Sequence, residues 1–236
     1  MSVTPAKSSL EVRLQAQLQK LRAQDLYRVR RAVRGTHGVE IEVDGQRCIN
    51  FCSNDYLGLA ADPRVARAAQ RALEHSGTGS GAAALVSGYN AEHRKLEEEL
   101  AEFLGRPRVL VFSSGWAANL GVLRALLGRD DVLIADELNH ASLIDGGRLS
   151  GARYVRVPHL NLPAVEGALA PQNRVPGSTA LVATDGVFSM DGDIADVPAL
   201  SHLCRRDDAV LMVDDAHGFG VLGEGGRGIL DRKSVV

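Results

Sequence analysis

The stretch Val210-Leu-Met-Val-Asp-Asp-Ala-His-Gly-Phe-Gly220 decides the fold. Four apolar residues run without alternation, the pattern of a strand covered on both faces within a parallel sheet. They stop abruptly at a pair of carboxylates, and a glycine-bounded turn follows. Working outward toward the N-terminus, the same grammar recurs. Apolar runs at 109–112, 132–135, 154–157 and 180–183 are short, rich in Val, Leu and Ile, and bounded by Gly, Asp or Ser. Helical stretches at 116–127, 141–149 and 197–205 alternate with them. Alternating strand and helix predicts an α/β fold, a mostly parallel sheet with helices on both faces.

Further upstream the pattern changes. Residues 92–104 read as an amphipathic helix, with Leu96, Leu100, Phe103 and Leu104 on one side and Gly105 as its stop. Residues 10–33 read as a second helix, its stripe formed by Leu10, Leu14, Leu18 and Leu21. Arg28, Arg30, Arg31 and Arg34 crowd toward its end, where cations complement the helix dipole. Val39-Glu-Ile-Glu-Val43, then Asp44-Gly45, then Arg47-Cys-Ile-Asn-Phe51 is alternation, turn, alternation, a β-hairpin signal. The expected organisation is an N-terminal helix and hairpin segment at 1–50 and a large α/β domain at 51–236.

Composition excludes several classes. The chain has 236 residues, 45% of them hydrophobic and 24% charged, with a formal net charge of −2. This is not the composition of a disordered chain, and so even a balance leaves no electrostatic footprint for nucleic acid. Aromatics at 4% offer no stacking platform for single strands. Cys48, Cys52 and Cys204 make an odd count without regular spacing, which argues against a disulfide framework and fits a reducing compartment. Cys48 and Cys52 have no second pair to complete a zinc site. No apolar run approaches the roughly 20 residues that cross a bilayer, and residues 1–10 lack the apolar core of a secretory signal. No membrane association is expected, and the cytoplasm is the expected location.

In an open α/β sheet, ligands bind at the carboxyl ends of the strands, so the residues just after each apolar run carry the interest. Ser113-Ser-Gly-Trp-Ala-Ala-Asn119 turns through Gly115 and Trp116 into a helix N-terminus, either a plain tight turn or an anion site. His140 follows the run at 132–135, placed to cap a helix or to stack on an aromatic ring. Thr184-Asp-Gly-Val-Phe-Ser-Met-Asp-Gly-Asp193 is a polar loop in which Ser189 could donate to a ligand; its acids lack the spacing of a calcium loop. Asp214 follows four apolar residues and is expected to be largely buried. A buried carboxylate requires a cation, and a protonated ring nitrogen would serve, with His217 in reach of the same ligand. The other reading of Asp214 is a cap on the turn that follows. The glycine-rich segment 77–88 follows no apolar strand, so it is read as a loop of close backbone approach rather than a dinucleotide fingerprint.

Four motifs now stand together in order: Asn50-Phe-Cys-Ser-Asn-Asp-Tyr-Leu-Gly-Leu59, Gly77-Thr-Gly-Ser-Gly81 with Val86-Ser-Gly-Tyr89, the 184–193 loop, and Val213-Asp-Asp-Ala-His-Gly218. Together they resemble the α-oxoamine synthases, a group of fold-type-I pyridoxal phosphate enzymes. The resemblance implies pyridoxal 5′-phosphate as cofactor and a homodimeric assembly. Within the group, the motifs favour members that condense L-alanine with a pimeloyl thioester, on CoA or a carrier protein, with loss of CO2. A sister synthase acting on glycine, or an inactive remnant, are the alternatives. The resemblance gives Gly115 and Trp116 the cofactor phosphate, His140 the pyridine face, Asp214 the ring nitrogen, and Ser189 and His217 the ring oxygen. It gives Arg28 the acyl substrate and Asn54 the amino-acid carboxylate. His140, Asp214 and His217 are the implied catalytic set. Two stretches depart from the family pattern, Ala83-Ala84 and the single residue Phe219. The family's Schiff-base lysine falls shortly beyond Val236, and Lys233 lacks the strand and glycine turn that would make it that lysine. The resemblance also implies a sheet order in which the run at 109–112 lies apart from the other four, left without partners by strands that this sequence does not contain, so an incomplete large domain of poor solubility is expected.

Overall fold

The computed structural model describes residues 8–231. The chain forms two compact units, Met1–Ala69 and Gln70–Val236.

In the first unit, α1 (Ser9–Ala23) starts from a reciprocal cap. The Ser8 hydroxyl accepts from the Glu11 N–H, and the Glu11 carboxylate accepts from the Ser8 N–H. The helix stops well short of the expected residue 33. Asp25 turns left-handed at φ 54°, and the cations of the last turn are Lys20 and Arg22 rather than the downstream arginines. Strands β1 (Val33–Arg34), β2 (Glu40–Val43) and β3 (Gln46–Ile49) form an antiparallel sheet in that order. Asp44 and Gly45 both have positive φ, 51° and 80°, the turn whose twist matches its strands.

Helix α2 (Pro63–Ser76) went unread in the sequence. Its apolar positions Val65, Ala69, Ala72 and Leu73 recur at helical spacing, a signal the sequence did offer, and its start is set by Pro63 and by Asp62, whose carboxylate accepts from the Arg64 N–H. In the second unit, α3 (Ala91–Leu104) is capped by Asn90 and stopped by Gly105 in the left-handed region. The run 109–112, expected as a strand, forms none. No strand among the described residues lies beside it to complete its hydrogen bonds. The Val111 N–H donates instead to the Glu97 carboxylate, and Leu110 stays exposed.

The remainder alternates as expected: α4 (Gly115–Leu126), β4 (Val132–Asp136), α5 (Ala141–Ser150), β5 (Arg153–Val157), α6 (Leu162–Leu169), β6 (Ala180–Asp185), α7 (Val197–Arg206) and β7 (Ala209–Asp214). The sheet is parallel in the order β5-β4-β6-β7. Alternate residues of β4 and β6 enter different layers. Val132, Ile134, Ala180 and Val182 pack with Val165 and Leu169 of α6 and with Leu200 and Leu203 of α7. Leu133, Ala135, Leu181 and Ala183 pack with Leu123 of α4 and Leu143 of α5. Both faces are therefore covered. Gly147 brings α5 onto the sheet, since a Cβ there would lie 2.5 Å from a Leu133 methyl and 2.7 Å from the Tyr154 ring.

Candidate active site

Because every strand of this sheet runs the same way, the turns after β4, β6 and β7 open on one edge. The start of α4 faces the same cleft. It is lined by Gly115, Trp116, His140, Ser142, Asp185, Val187, Ser189, Asp214, Ala216 and His217. All six cofactor residues expected from the sequence are in that lining. They come from four separate stretches of chain.

At one wall, the Ser114 hydroxyl caps α4 by accepting from the Ala117 N–H. The N–H groups of the first turn, Gly115 and Trp116, have no acceptor within the helix. A Cβ at Gly115 would meet nothing within 4 Å, so the space over this turn is open to an anion. His140 caps α5 with its imidazole, its Nδ1 accepting from the Ser142 N–H. The Trp116 ring meets it edge-on, with centroids 6.2 Å apart.

Asp214 ends β7, and there the structure corrects the expectation of burial. It is only half-buried, because β7 is the last strand of the sheet and has a neighbour on one side alone. Its Oδ2 accepts from the Asn119 amide at 2.7 Å and its Oδ1 from the Ala216 N–H at 3.1 Å. The carboxylate nonetheless lines the cleft with His140 and Gly115.

Asp185, noted in the sequence only as one acid of a loop, is the C-terminal residue of β6 and pairs in register with Asp214. It is 5% exposed. Burial pushes its carboxyl up to about 6; the hydrogen bond from the His140 N–H works against this, and the neighbouring Asp214 adds to it. Asn139 holds this turn against β6, accepting from the Asp185 N–H and donating to the Ala183 carbonyl. Asn119 and Ser142 also escaped the sequence reading. The available signal was a polar side chain on the inner face of an otherwise apolar helix, which has to find partners once buried.

Ser189 rides on the loop after β6, where Val187 and Ile194 form an isolated bridge. His159, after β5, clamps that loop. Its Nδ1 lies 2.9 Å from Asp136 and its Nε2 3.2 Å from Asp193, with its ring edge-on to Phe188. Burial disfavours its charge, but the hydrogen bonds and charges of Asp136 and Asp193 outweigh that and hold its pKa above the ordinary value.

Arg28 and Asn54 belong to the first unit and are both exposed; Asn54 accepts a hydrogen bond from the Tyr56 hydroxyl. Among the described residues no lysine lines the cleft, and Lys233 lies outside them. Among the described residues, no helix is long and apolar enough to cross a membrane.

Comparison with known proteins bears on the fold and the family of the chain. The chain is 55% identical over 214 residues to the 8-amino-7-oxononanoate synthase of Methylococcus capsulatus, which covers 91% of this chain and 54% of that protein. The chain thus spans about half the length of the curated relatives it matches. Among solved structures, Sphingomonas wittichii serine palmitoyltransferase superposes with a TM-score of 0.87 at 31% identity, over 98% of this chain and 58% of that one. A serine palmitoyltransferase of S. paucimobilis with a bound PLP–myriocin aldimine also superposes at 0.87, with 29% identity, over 97% and 58%. This is the fold of fold-type-I pyridoxal phosphate transferases, here as a partial domain. The family model for aminotransferase class I and II matches residues 46–233, and the chain belongs to that family.

Proposed function

We propose that the cleft of the second unit holds pyridoxal 5′-phosphate. We propose further that the chain serves a C-acyltransferase joining L-alanine to a pimeloyl thioester with loss of CO2, the activity of an 8-amino-7-oxononanoate synthase. The observation that carries this reading is the convergence of Gly115, Trp116, His140, Ser189, Asp214 and His217 on one cleft. The residues fit the group. The open first turn of α4 would take the phosphate, the His140 imidazole would cover the pyridine face, and Ser189 and His217 would approach the ring oxygen. The Asp214 carboxylate would hold a proton on the ring nitrogen. A cofactor so held supplies an electron sink for negative charge at the substrate Cα. Arg28 is assigned to the acyl substrate and Asn54 to the amino-acid carboxylate, both on the family resemblance alone. The same resemblance supports a homodimer, and the free cysteines are in keeping with a cytoplasmic location.

The test is a titration of the chain with pyridoxal phosphate, followed by absorbance and by quenching of Trp116, the chain's one tryptophan. Saturable binding is expected, weakened about tenfold to a hundredfold by Asp214→Ala, the scale of a hydrogen bond to a charged group. Absence of saturation, or equal affinity in the variant, refutes the assignment. In a chain extended past Val236 to include the family's Schiff-base lysine, product formation from L-alanine with pimeloyl-CoA, against glycine with acetyl-CoA, then separates this activity from that of a glycine-using sister enzyme.

A further inference from the structure

We infer that Asn119 and Ser142 are positioning residues, which together lock the His140 ring as its Nε2–H tautomer and tie it to the Asp214 carboxylate. Both side chains are buried, at 6% and 0% exposure, on α4 and on the first turn of α5. The Asn119 Nδ2 lies 2.7 Å from Asp214 Oδ2 and 2.8 Å from Ser142 Oγ. Only the amino end of the amide can face the carboxylate, since the flipped amide would set oxygen against oxygen. Its two hydrogens are engaged there, one on Asp214 and one on Ser142. Having accepted from Asn119, the Ser142 hydroxyl keeps its own hydrogen to donate. Its other neighbour is His140 Nδ1, 2.6 Å away. The Ser142 backbone N–H points at the same nitrogen from 3.3 Å. Two donors converge on Nδ1, so Nδ1 presents a lone pair and the ring hydrogen sits on Nε2. The other neutral tautomer would set N–H against N–H and leave a buried hydroxyl hydrogen without an acceptor.

The tautomer follows from these hydrogen bonds whatever the ligand is; its consequence for function rests on the cofactor reading above. Under that reading, one buried amide fixes both the imidazole that covers the ring and the carboxylate that meets the ring nitrogen. The two contacts are thereby set relative to each other before anything binds.

Long-range 1H–15N correlation spectra of the labelled chain report the tautomer directly, with His140→Gln assigning the signal among the seven histidines. In mildly alkaline buffer the expected spectrum has a pyridine-type Nδ1 and a pyrrole-type Nε2 for His140. The reverse pattern, or an averaged pair, in the unsubstituted chain overturns the inference. Ser142→Ala, and Asn119→Ala, which frees the hydroxyl to accept from Nδ1–H, are each expected to shift the tautomer ratio roughly tenfold toward Nδ1–H, the scale of one hydrogen bond. Unchanged ratios in folded variants overturn the positioning role, and should a variant fail to fold, the unsubstituted spectrum still decides the tautomer. Pyridoxal phosphate titration separates the two readings. A locked Nε2–H ring in a chain that does not bind the cofactor sinks the cofactor assignment and supports this one.

Discussion

Replacing Asp185 with Asn should stabilise the folded chain, and by an amount that depends on pH. The carboxyl is shut inside the cleft wall beside Asp214, and its pKa is pushed from an ordinary 3.8 to about 6. The unfolded chain releases this proton near the lower value, whereas the folded chain keeps it until the higher one. Between the two, the folded state binds more protons, so rising pH favours unfolding. At about 1.4 kcal/mol per pH unit, the accumulated penalty reaches about 3 kcal/mol above pH 6. Asparagine removes the titration but keeps an oxygen to accept from the His140 N–H, now 2.9 Å from Asp185 Oδ2. Urea unfolding of both forms from pH 4 to pH 8 measures the difference. The Asp185→Asn advantage should be small near pH 4, grow up to about pH 6 and then level off. A difference that does not vary with pH would refute the reasoning, because only a proton held differently in the two states produces that slope.

Other expectations are simpler. His159→Gln should loosen the Ser189 loop. Since the His159 pKa is raised, the stability it contributes is full below its ordinary 6.5 and is lost as pH rises through the folded value, so the variant and the unsubstituted chain should converge in unfolding experiments at alkaline pH. Leu181→Ala should cost about 2–5 kcal/mol in urea unfolding, because Leu181 is fully buried between the sheet and α4 and α5. Gly147→Ala should cost about 1–3 kcal/mol in the same assay by forcing α5 off Leu133 and Tyr154. Under native conditions a thiol reagent should modify the exposed Cys48 and Cys52 and spare Cys204, whose thiol is buried and pushed up to about 11.

How much of this was legible in the sequence depended on whether a residue's neighbours were local. Four of the five strands expected for the parallel sheet form, because unbroken Val, Leu and Ile runs have no stable place other than between two helical layers. The fifth, 109–112, has the same composition and fails because a strand needs a partner, which no property of its own residues supplies. Helix α1 was overextended for a related reason. The leucine stripe ends at Leu21, where Gln24 and Asp25 occupy the next positions of the period, and the helix ends there rather than at the arginines beyond. At the site, the residues that line the cleft were readable from their place after each strand. Those behind them were not. Asn119 is an ordinary polar residue in its helix until the sheet order carries Asp214, 95 positions away, to within 2.7 Å.

The same sheet order accounts for the electrostatics of the cleft. Adjacent parallel strands β6 and β7 end together, so two carboxylates, Asp185 and Asp214, are forced side by side by register rather than by any attraction between them. Opposing them, α4 and α5 begin at this edge and present the positive ends of their dipoles. The His140 N–H answers Asp185, while the amide of Asn119, on the first turns of α4, answers Asp214. The carboxylates thus differ in environment. Asp185 is buried and favours its neutral form at low pH, whereas Asp214 is half-buried at the sheet edge and open to the cleft. A ligand combining an anionic end with a cationic ring meets complementary charge at both: the α4 N-terminus for the anion and Asp214 for the ring. A neutral ligand, or one carrying charge at a single end, would leave one of these features unanswered, so under the proposed cofactor reading the cleft suits a phosphorylated, protonated heterocycle.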